Sequence, residues 1–181
     1  KEDEILGDQR WAPFKRRVPL IAKALEPYRI LYAPCITGDG SAVWFKARHA
    51  REMGATALHL NVWCGLGTYL DVRRHVALPL FFQKSGDKVW TTGPFALDPA
   101  VLYDLVHRIG CDLAHVGMYG GYLADSVGAL TTRITALQTT LPSFSCGMDP
   151  EKAAKIRALF GKDVMVTSGG WIHAVGGQIT D

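Results

Sequence analysis

Asp112-Leu113-Ala114-His115-Val116 is an apolar run of strand length carrying one histidine, and a glycine-rich loop, Gly117-Met118-Tyr119-Gly120-Gly121, follows at once. Helical patterns flank it. Upstream, Asp98-Pro99 opens a helix with Val101, Leu105 and Ile109 on one face; downstream, Asp125 caps another over 126–138. The same alternation extends outward along the chain. Further runs occupy 29–36, 57–63, 77–83, 141–145 and 163–167, several of them almost continuously apolar. Strands buried on both faces of a parallel sheet read this way. Between the runs lie helices over 12–26 (Phe14, Val18, Ile21 and Leu25 inward), 42–53 (ended by Gly54), 68–76, and from Asp149-Pro150 to near Gly161. The fold class is therefore α/β, with parallel strands and helices outside. Six runs suit either a doubly wound sheet or part of an eight-stranded (β/α)8 TIM barrel, and the pattern alone does not choose.

The 181 residues are 48% hydrophobic and 20% charged, enough for one domain with a sizeable core. A formal charge of +3 argues against nucleic acid as a partner, and Lys15-Arg16-Arg17 is expected on a solvated helix face. No apolar run is long enough to cross a membrane, and no signal peptide opens the chain. Cys35, Cys64, Cys111 and Cys146 form no C-x-x-C pair, so free buried thiols in a reducing cytoplasm are expected. The chain starts at Lys1, without Met, on the charged Lys1-Glu2-Asp3-Glu4; the expectation is a fragment.

In a (β/α) barrel, chemistry sits on the loops after the strands. Here those loops hold Cys64-Gly65-Leu66-Gly67, Gln83-Lys84-Ser85-Gly86, Ser145-Cys146-Gly147 and Thr167-Ser168-Gly169-Gly170, with Gly176-Gly177 just beyond. Glycine turns after the last two strands let backbone N–H groups approach an anion, so Gly147, Ser168, Gly169 and Gly170 form a phosphate candidate. The plain alternative is that these glycines only shape tight turns. Lys84 is a candidate second cation, against the common case of a surface lysine. His115 is a candidate proton carrier or phosphate donor, against a satisfied core histidine. Acidic residues clustered at a strand end, as in Lys1-Glu2-Asp3-Glu4, can gather oxygens for Mg²⁺, although charge runs are usually solvated.

Together these features resemble the C-terminal barrel of the RuBisCO large-chain superfamily. Lys1-Glu2-Asp3-Glu4 resembles the family's Lys-Asp-Asp-Glu metal motif at the end of strand two. The resemblance implies a lysine carbamylated by CO2, with Lys1, Asp3 and Glu4 as ligands of Mg²⁺. Leu113-Ala114-His115-Val116-Gly117 resembles the strand-six segment ending in His-Ser-Gly. Ser145-Cys146-Gly147 resembles the Ser-Gly-Gly after strand seven, and Ser168-Gly169-Gly170 the Gly-Gly-Gly phosphate loop after strand eight. The motifs keep their order through essentially the whole chain. The resemblance makes residues 1–181 a single partial TIM-barrel domain, roughly strands three to eight plus the end of strand two.

The departures fall on carboxylation chemistry. Carboxylases carry a lysine in the loop after strand six; the matching position is Tyr122, and no lysine occurs between Lys88 and Lys152. Lys84 stands for an arginine, Gln83 for a histidine, Asn61 for an acid, and Cys146 and Ser168 for glycines. This resembles the RuBisCO-like, form IV branch. It implies a cytoplasmic enzyme, of isomerase or lyase type, performing Mg-dependent enolisation of a phosphorylated keto-sugar without CO2 fixation. Lys1 and His115 would be catalytic, and Lys84, His115, Ser145, Gly147, Ser168, Gly169 and Gly170 would bind substrate. A neighbouring subunit would complete the site, so a homodimer is implied. The alternatives are a carboxylase large-chain fragment and a non-catalytic truncated chain.

Overall fold

The computed structural model of the chain describes residues 1–8, 10–120 and 124–175; Gly121, Tyr122 and Gly176-Gly177 lie outside them. Five strands, β1 (Leu58–Asn61), β2 (Leu80–Gln83), β3 (Leu113–Gly117), β4 (Leu141–Phe144) and β5 (Met165–Val166), form one sheet. Its order is β1-β2-β3-β4-β5 and every pairing is parallel. Each crossover contains a helix: α3 (Leu66–His75), α4 (Lys88–Thr91) with α5 (Pro99–Ile109), α6 (Val127–Leu137) and α7 (Pro150–Phe160). Two helices, α1 (Phe14–Leu25) and α2 (Gly40–Glu52), precede the sheet, and α8 (Gly169–Ala174) follows it. Strands in strict chain order, joined by helices that contact one another in sequence (α1 on α2, α2 on α3, α3 on α5, α5 on α6), are the winding of a barrel wall. A doubly wound sheet reverses its strand order midway, and this one does not.

The pleat separates two environments. Leu58, Leu60, Leu80, Phe82, Ala114, Val116 and Phe144 join the helices in one buried cluster. Tyr69 and Tyr103 close on Phe82 there at ring separations of 5.5 and 5.9 Å. Each such side chain contributes about 1.5–3 kcal/mol by leaving water. The alternate residues face the interior of the barrel wall: His59 lies opposite Phe81, Asn61 opposite Gln83, and His115 opposite Ser143. Polar groups on that face are buried too, and they mark the functional side.

The first apolar run departs from expectation. Residues 29–36 form no full strand, only the parallel bridge Cys35↔His59 beside β1. The reason is where its donors go. Pro34 has no N–H, Tyr32 N–H donates to Thr56 Oγ1 (2.7 Å) and Cys35 N–H to Glu2 Oε2 (2.9 Å). Ile36 N–H donates to the His59 carbonyl, and His59 N–H to that of Pro34. On its other side, Glu2 N–H donates to the Ala33 carbonyl (2.9 Å). Residues 1 and 2 thus stand where the preceding strand of the wall ends.

Four helix-level expectations also change. On α5 the buried residues are Leu102, Tyr103 and Val106, while Val101 is exposed; Tyr103 turns inward because its hydroxyl donates to the His115 carbonyl (2.8 Å). Arg17, expected on a solvated face with Lys15 and Arg16, is buried against Glu2. Ser126 caps α6, accepting from Ala129 N–H, whereas Asp125 turns away to pair with Arg133 (2.9 Å). Gly169 and Gly170, expected in a loop, begin α8. Asp98 and Asp149 cap α5 and α7 as their Asp-Pro pairs predict. All four cysteines are free, but Cys146 is exposed, because it lies beyond β4 on the open loop. Among the described residues no helix is long and apolar enough to cross a membrane.

β5 bonds only to β4 among the named strands, and Ile30, Leu31 and Phe95 are exposed. A strand edge without a further strand, and apolar side chains exposed elsewhere on the surface, both favour association. The 181-residue chain, expressed alone, is therefore expected to self-associate. Sedimentation velocity should show mass increasing with concentration; a monomer that unfolds cooperatively at all concentrations would contradict this.

Candidate active site

The site begins with Glu2, which sequence reasoning passed over. Its carboxylate accepts from Arg17 (Nε to Oε1 2.8 Å, Nη2 to Oε2 2.9 Å), from the Tyr32 hydroxyl (2.7 Å) and from Cys35 N–H (2.9 Å). Burial pushes the Tyr32 hydroxyl well above its ordinary pKa, and its bond to Glu2 adds to the shift. Burial alone would lower Arg17, but the Glu2 carboxylate more than offsets it. A buried carboxylate with four donors is structural. It fixes the segment, and alternation along an extended chain then aims Lys1 the other way.

Lys1 Nζ lies 3.5 Å from His59 Nε2 on β1 and 5.5 Å from the centre of the Phe81 ring on β2. Glu4, at the bend into a 3-10 turn over Glu4–Asp8, brings Oε2 within 3.8 Å of the same His59 nitrogen. Asp3 is exposed, yet its charge acts on Lys1. Lysine burial lowers the Lys1 pKa, and the nearby charges of Asp3 and Glu4 partly oppose that. His59 is driven well below the usual histidine range by burial first and by the Lys1 charges second. It is neutral, so its contact with Glu4 is not an ion pair. Glu4 Oε2 and His59 Nδ1 are buried without a hydrogen-bond partner. Glu4, Cys35 and His59 bring three ligand atoms within 4.8 Å of one another, so the described residues could hold a metal ion here. Cys35 and His59 were not candidates in the sequence; only their bridge across neighbouring segments joins them.

His115 on β3 is buried, and its Nε2 contacts the Ser145 hydroxyl beyond β4. The structure thus joins these two predicted residues. Burial first, and then the charges of Lys84 and Lys1, lower His115 to about 3. Lys84, beyond β2, is no surface lysine: it is buried and pairs with Asp87 (3.4 Å). Behind β3, Asp125 accepts from Met118 N–H (3.1 Å), and Arg133 Nη1 donates to the Val116 carbonyl (2.8 Å). These contacts hold the backbone after His115. Gly147 takes φ +68, and a Cβ at Gly147, Gly169 or Gly170 would meet nothing within 4 Å. The Ser168 side chain makes no capping bond on α8. The two loops stand side by side because β4 pairs β5.

The buried imidazole has a consequence for stability. His115 binds a proton at about pH 3 in the fold, against an unfolded pKa near 6.5. Between those values the unfolded chain holds the extra proton, so stability falls as pH drops below about 6.5, by at most about 1.4 kcal/mol per pH unit for each such histidine. Urea unfolding from pH 7 to 4 should show this loss, and His115→Asn should reduce it, leaving the part that His59 contributes; an unchanged slope would contradict the assignment.

A wall of parallel strands in chain order, with polar residues converging at the strand ends, is the wall of a (β/α) barrel. No protein-family model matches the chain. It is 29% identical over 190 residues to a 2,3-diketo-5-methylthiopentyl-1-phosphate enolase of Bacillus velezensis, covering 96% of this chain and 47% of the relative. It is 30% identical over 202 residues to the enolase of that name from Bacillus pumilus, covering 98% and 49%. The structure of a RuBisCO-like protein from Burkholderia fungorum superposes with TM-score 0.84 at 24% identity, over 95% of this chain and 47% of that one; at that identity the likeness concerns the fold. The chain is also 31% identical over 194 residues to a ribulose bisphosphate carboxylase-like protein of Bordetella bronchiseptica, covering 95% of this chain and 46% of that relative, so its sequence is similar to RuBisCO-like proteins. The chain spans about half the length of the curated relatives it matches.

Proposed function

We propose that the complete protein enolises a phosphorylated diketone of the kind named for its relatives, without fixing CO2. The observation that carries this reading is the meeting of Lys1, Glu4 and His59 at 3.5 and 3.8 Å, on the face that also carries His115. In this reading residues 1–181 are one partial barrel domain, and a neighbouring subunit completes the active site in a homodimer of the full-length protein.

Lys1, Asp3 and Glu4 would hold Mg²⁺. Their fit rests on the buried, unpartnered Glu4 Oε2 and on the half-buried Lys1 amine, whose pKa burial lowers. The neutral amine adds to CO2, releasing one proton, and the resulting carbamate is an anionic oxygen ligand suited to a hard cation. When bound, Mg²⁺ supplies Lewis-acid polarisation of the substrate carbonyl. The protein's own groups do the rest. Neutral His115 and the Ser145 hydroxyl hold a proton between them at the strand ends. Lys84 presents a buried cation beside the substrate. Backbone N–H groups at Gly147, Gly169 and Gly170, with the Ser168 hydroxyl, receive the phosphate.

The test uses the full-length protein with Mg²⁺ and bicarbonate in heavy water. Deuterium exchange into a phosphorylated diketone is the expected result. Incorporation of labelled CO2 into 3-phosphoglycerate from ribulose bisphosphate would overturn the reading.

A further inference from the structure

We propose that Glu4, Cys35 and His59 form a site for a thiophilic divalent metal of the Zn²⁺ or Co²⁺ class, sharing only Glu4 with the oxygen-ligand site proposed above, so that the two ions compete for Glu4. Three observations converge. The ligand atoms of these residues lie within 4.8 Å of one another, with His59 Nε2 and Glu4 Oε2 at 3.8 Å. Tetrahedral zinc, with bonds of about 2.0–2.3 Å, sets neighbouring N and O ligands about 3.3 Å apart. A shift of about half an ångström in the flexible Glu4 carboxylate closes that difference. Second, Cys35 and His59 are both 0% exposed, and their backbones are locked as bridge partners, so two ligands are preorganised. Third, buried Glu4 Oε2, the oxygen that faces His59 Nε2, has no hydrogen-bond partner in the protein, a state that buried polar atoms rarely keep.

The chemistry of the donor set selects the ion. A thiolate, an imidazole and a carboxylate favour zinc-like metals over Mg²⁺, which prefers six oxygens. Binding replaces the Cys35 thiol proton, which leaves to solvent, by the metal. One thiolate and one carboxylate then cancel the double charge, so the buried site is neutral overall. Thr37 Oγ1, 3.3 Å from Cys35 Sγ, stands as an outer hydrogen-bond partner of the sulfur. Three protein ligands leave a fourth position open, on the side where Lys1 Nζ lies 3.5 Å from His59 Nε2.

The experiment titrates the full-length protein with Co²⁺, in a background carrying Cys64→Ser and Cys146→Ser to remove the accessible thiols. One equivalent should bind with a near-ultraviolet thiolate-to-cobalt band, and Zn²⁺ should abolish that band. Adding Cys35→Ser should remove the band and weaken binding by more than about a hundredfold, with unchanged circular dichroism. Asp3→Ala should keep the band, which separates this site from the Mg²⁺ reading. A band that survives Cys35→Ser, or no band in the background protein, overturns the proposal. X-ray absorption of the zinc-loaded background protein decides the matter without the Cys35 variant: one sulfur at about 2.3 Å supports the site, and none refutes it.

Discussion

Lys1→Ala in the full-length protein is expected to cut substrate deuterium exchange by at least a hundred- to thousandfold, about 3–4 kcal/mol of lost transition-state stabilisation. Lys1 sits among groups arranged for charge. Its amine is 3.5 Å from neutral His59, it acts electrostatically on His115 of β3, and Asp3 and Glu4 act on it in turn. Burial lowers its pKa, which raises the fraction of neutral amine able to take up CO2. On the proposed reading, removing it would delete the carbamate and leave Asp3 and Glu4 as a weaker anionic pair for Mg²⁺. Little stability should be lost, because the fold is anchored by Glu2 rather than by Lys1. The check pairs exchange followed by proton NMR with urea unfolding. Full exchange in Lys1→Ala would sink the assignment, and unfolding at low urea would show that the residue is structural instead.

Glu2→Ala should do the opposite. It is expected to lower the unfolding free energy by about 3–5 kcal/mol, because it leaves a buried guanidinium without its counter-charge. It also strips acceptors from the Tyr32 hydroxyl and the Cys35 amide. Arg17→Ala should cost a similar amount for the mirror reason. The double variant should cost clearly less than the two singles added, since neither buried charge then stands alone. Urea denaturation of the four proteins completes the cycle. Strict additivity would show that the pair, 2.8 Å apart, does not act as a unit. Glu2→Ala should also weaken Mg²⁺ binding on the proposed reading, because the segment carrying Lys1, Asp3 and Glu4 loses its side-chain anchor to Arg17, Tyr32 and the Cys35 amide.

The site was legible to different depths. His115 and Ser145 were readable because each closes an apolar run, and runs in register bring such residues to one rim. Lys84 reads as a candidate second cation from its place after a strand, set against the common surface lysine; its burial against Asp87, three residues on, appears only when the loop after β2 closes. Cys35 and His59 are separated by a helix, and neither stands in a motif. An apolar run containing one histidine carries no sign of which side that histidine faces. The rim position of Tyr122 rests on sequence reading alone, since it lies outside the described residues.

What the sequence by itself determined was the period and order of the elements. Apolar runs of strand length, separated by helices capped at Asp98-Pro99 and Asp149-Pro150, impose parallel pairing, because only a crossover can return the chain to the same end of the sheet. Those are local signals, carried by residues a few positions apart. The tertiary structure alone decided three things. It decided that the sheet runs in chain order rather than reversing, that Glu2 faces Arg17 while Lys1 faces His59, and that the first run spends its amides on Thr56 and Glu2 instead of on a full strand ladder. Each depends on partners 15 to 58 residues away. The free energy of burying or pairing a group is set by what surrounds it in space, and spacing along the chain does not encode that.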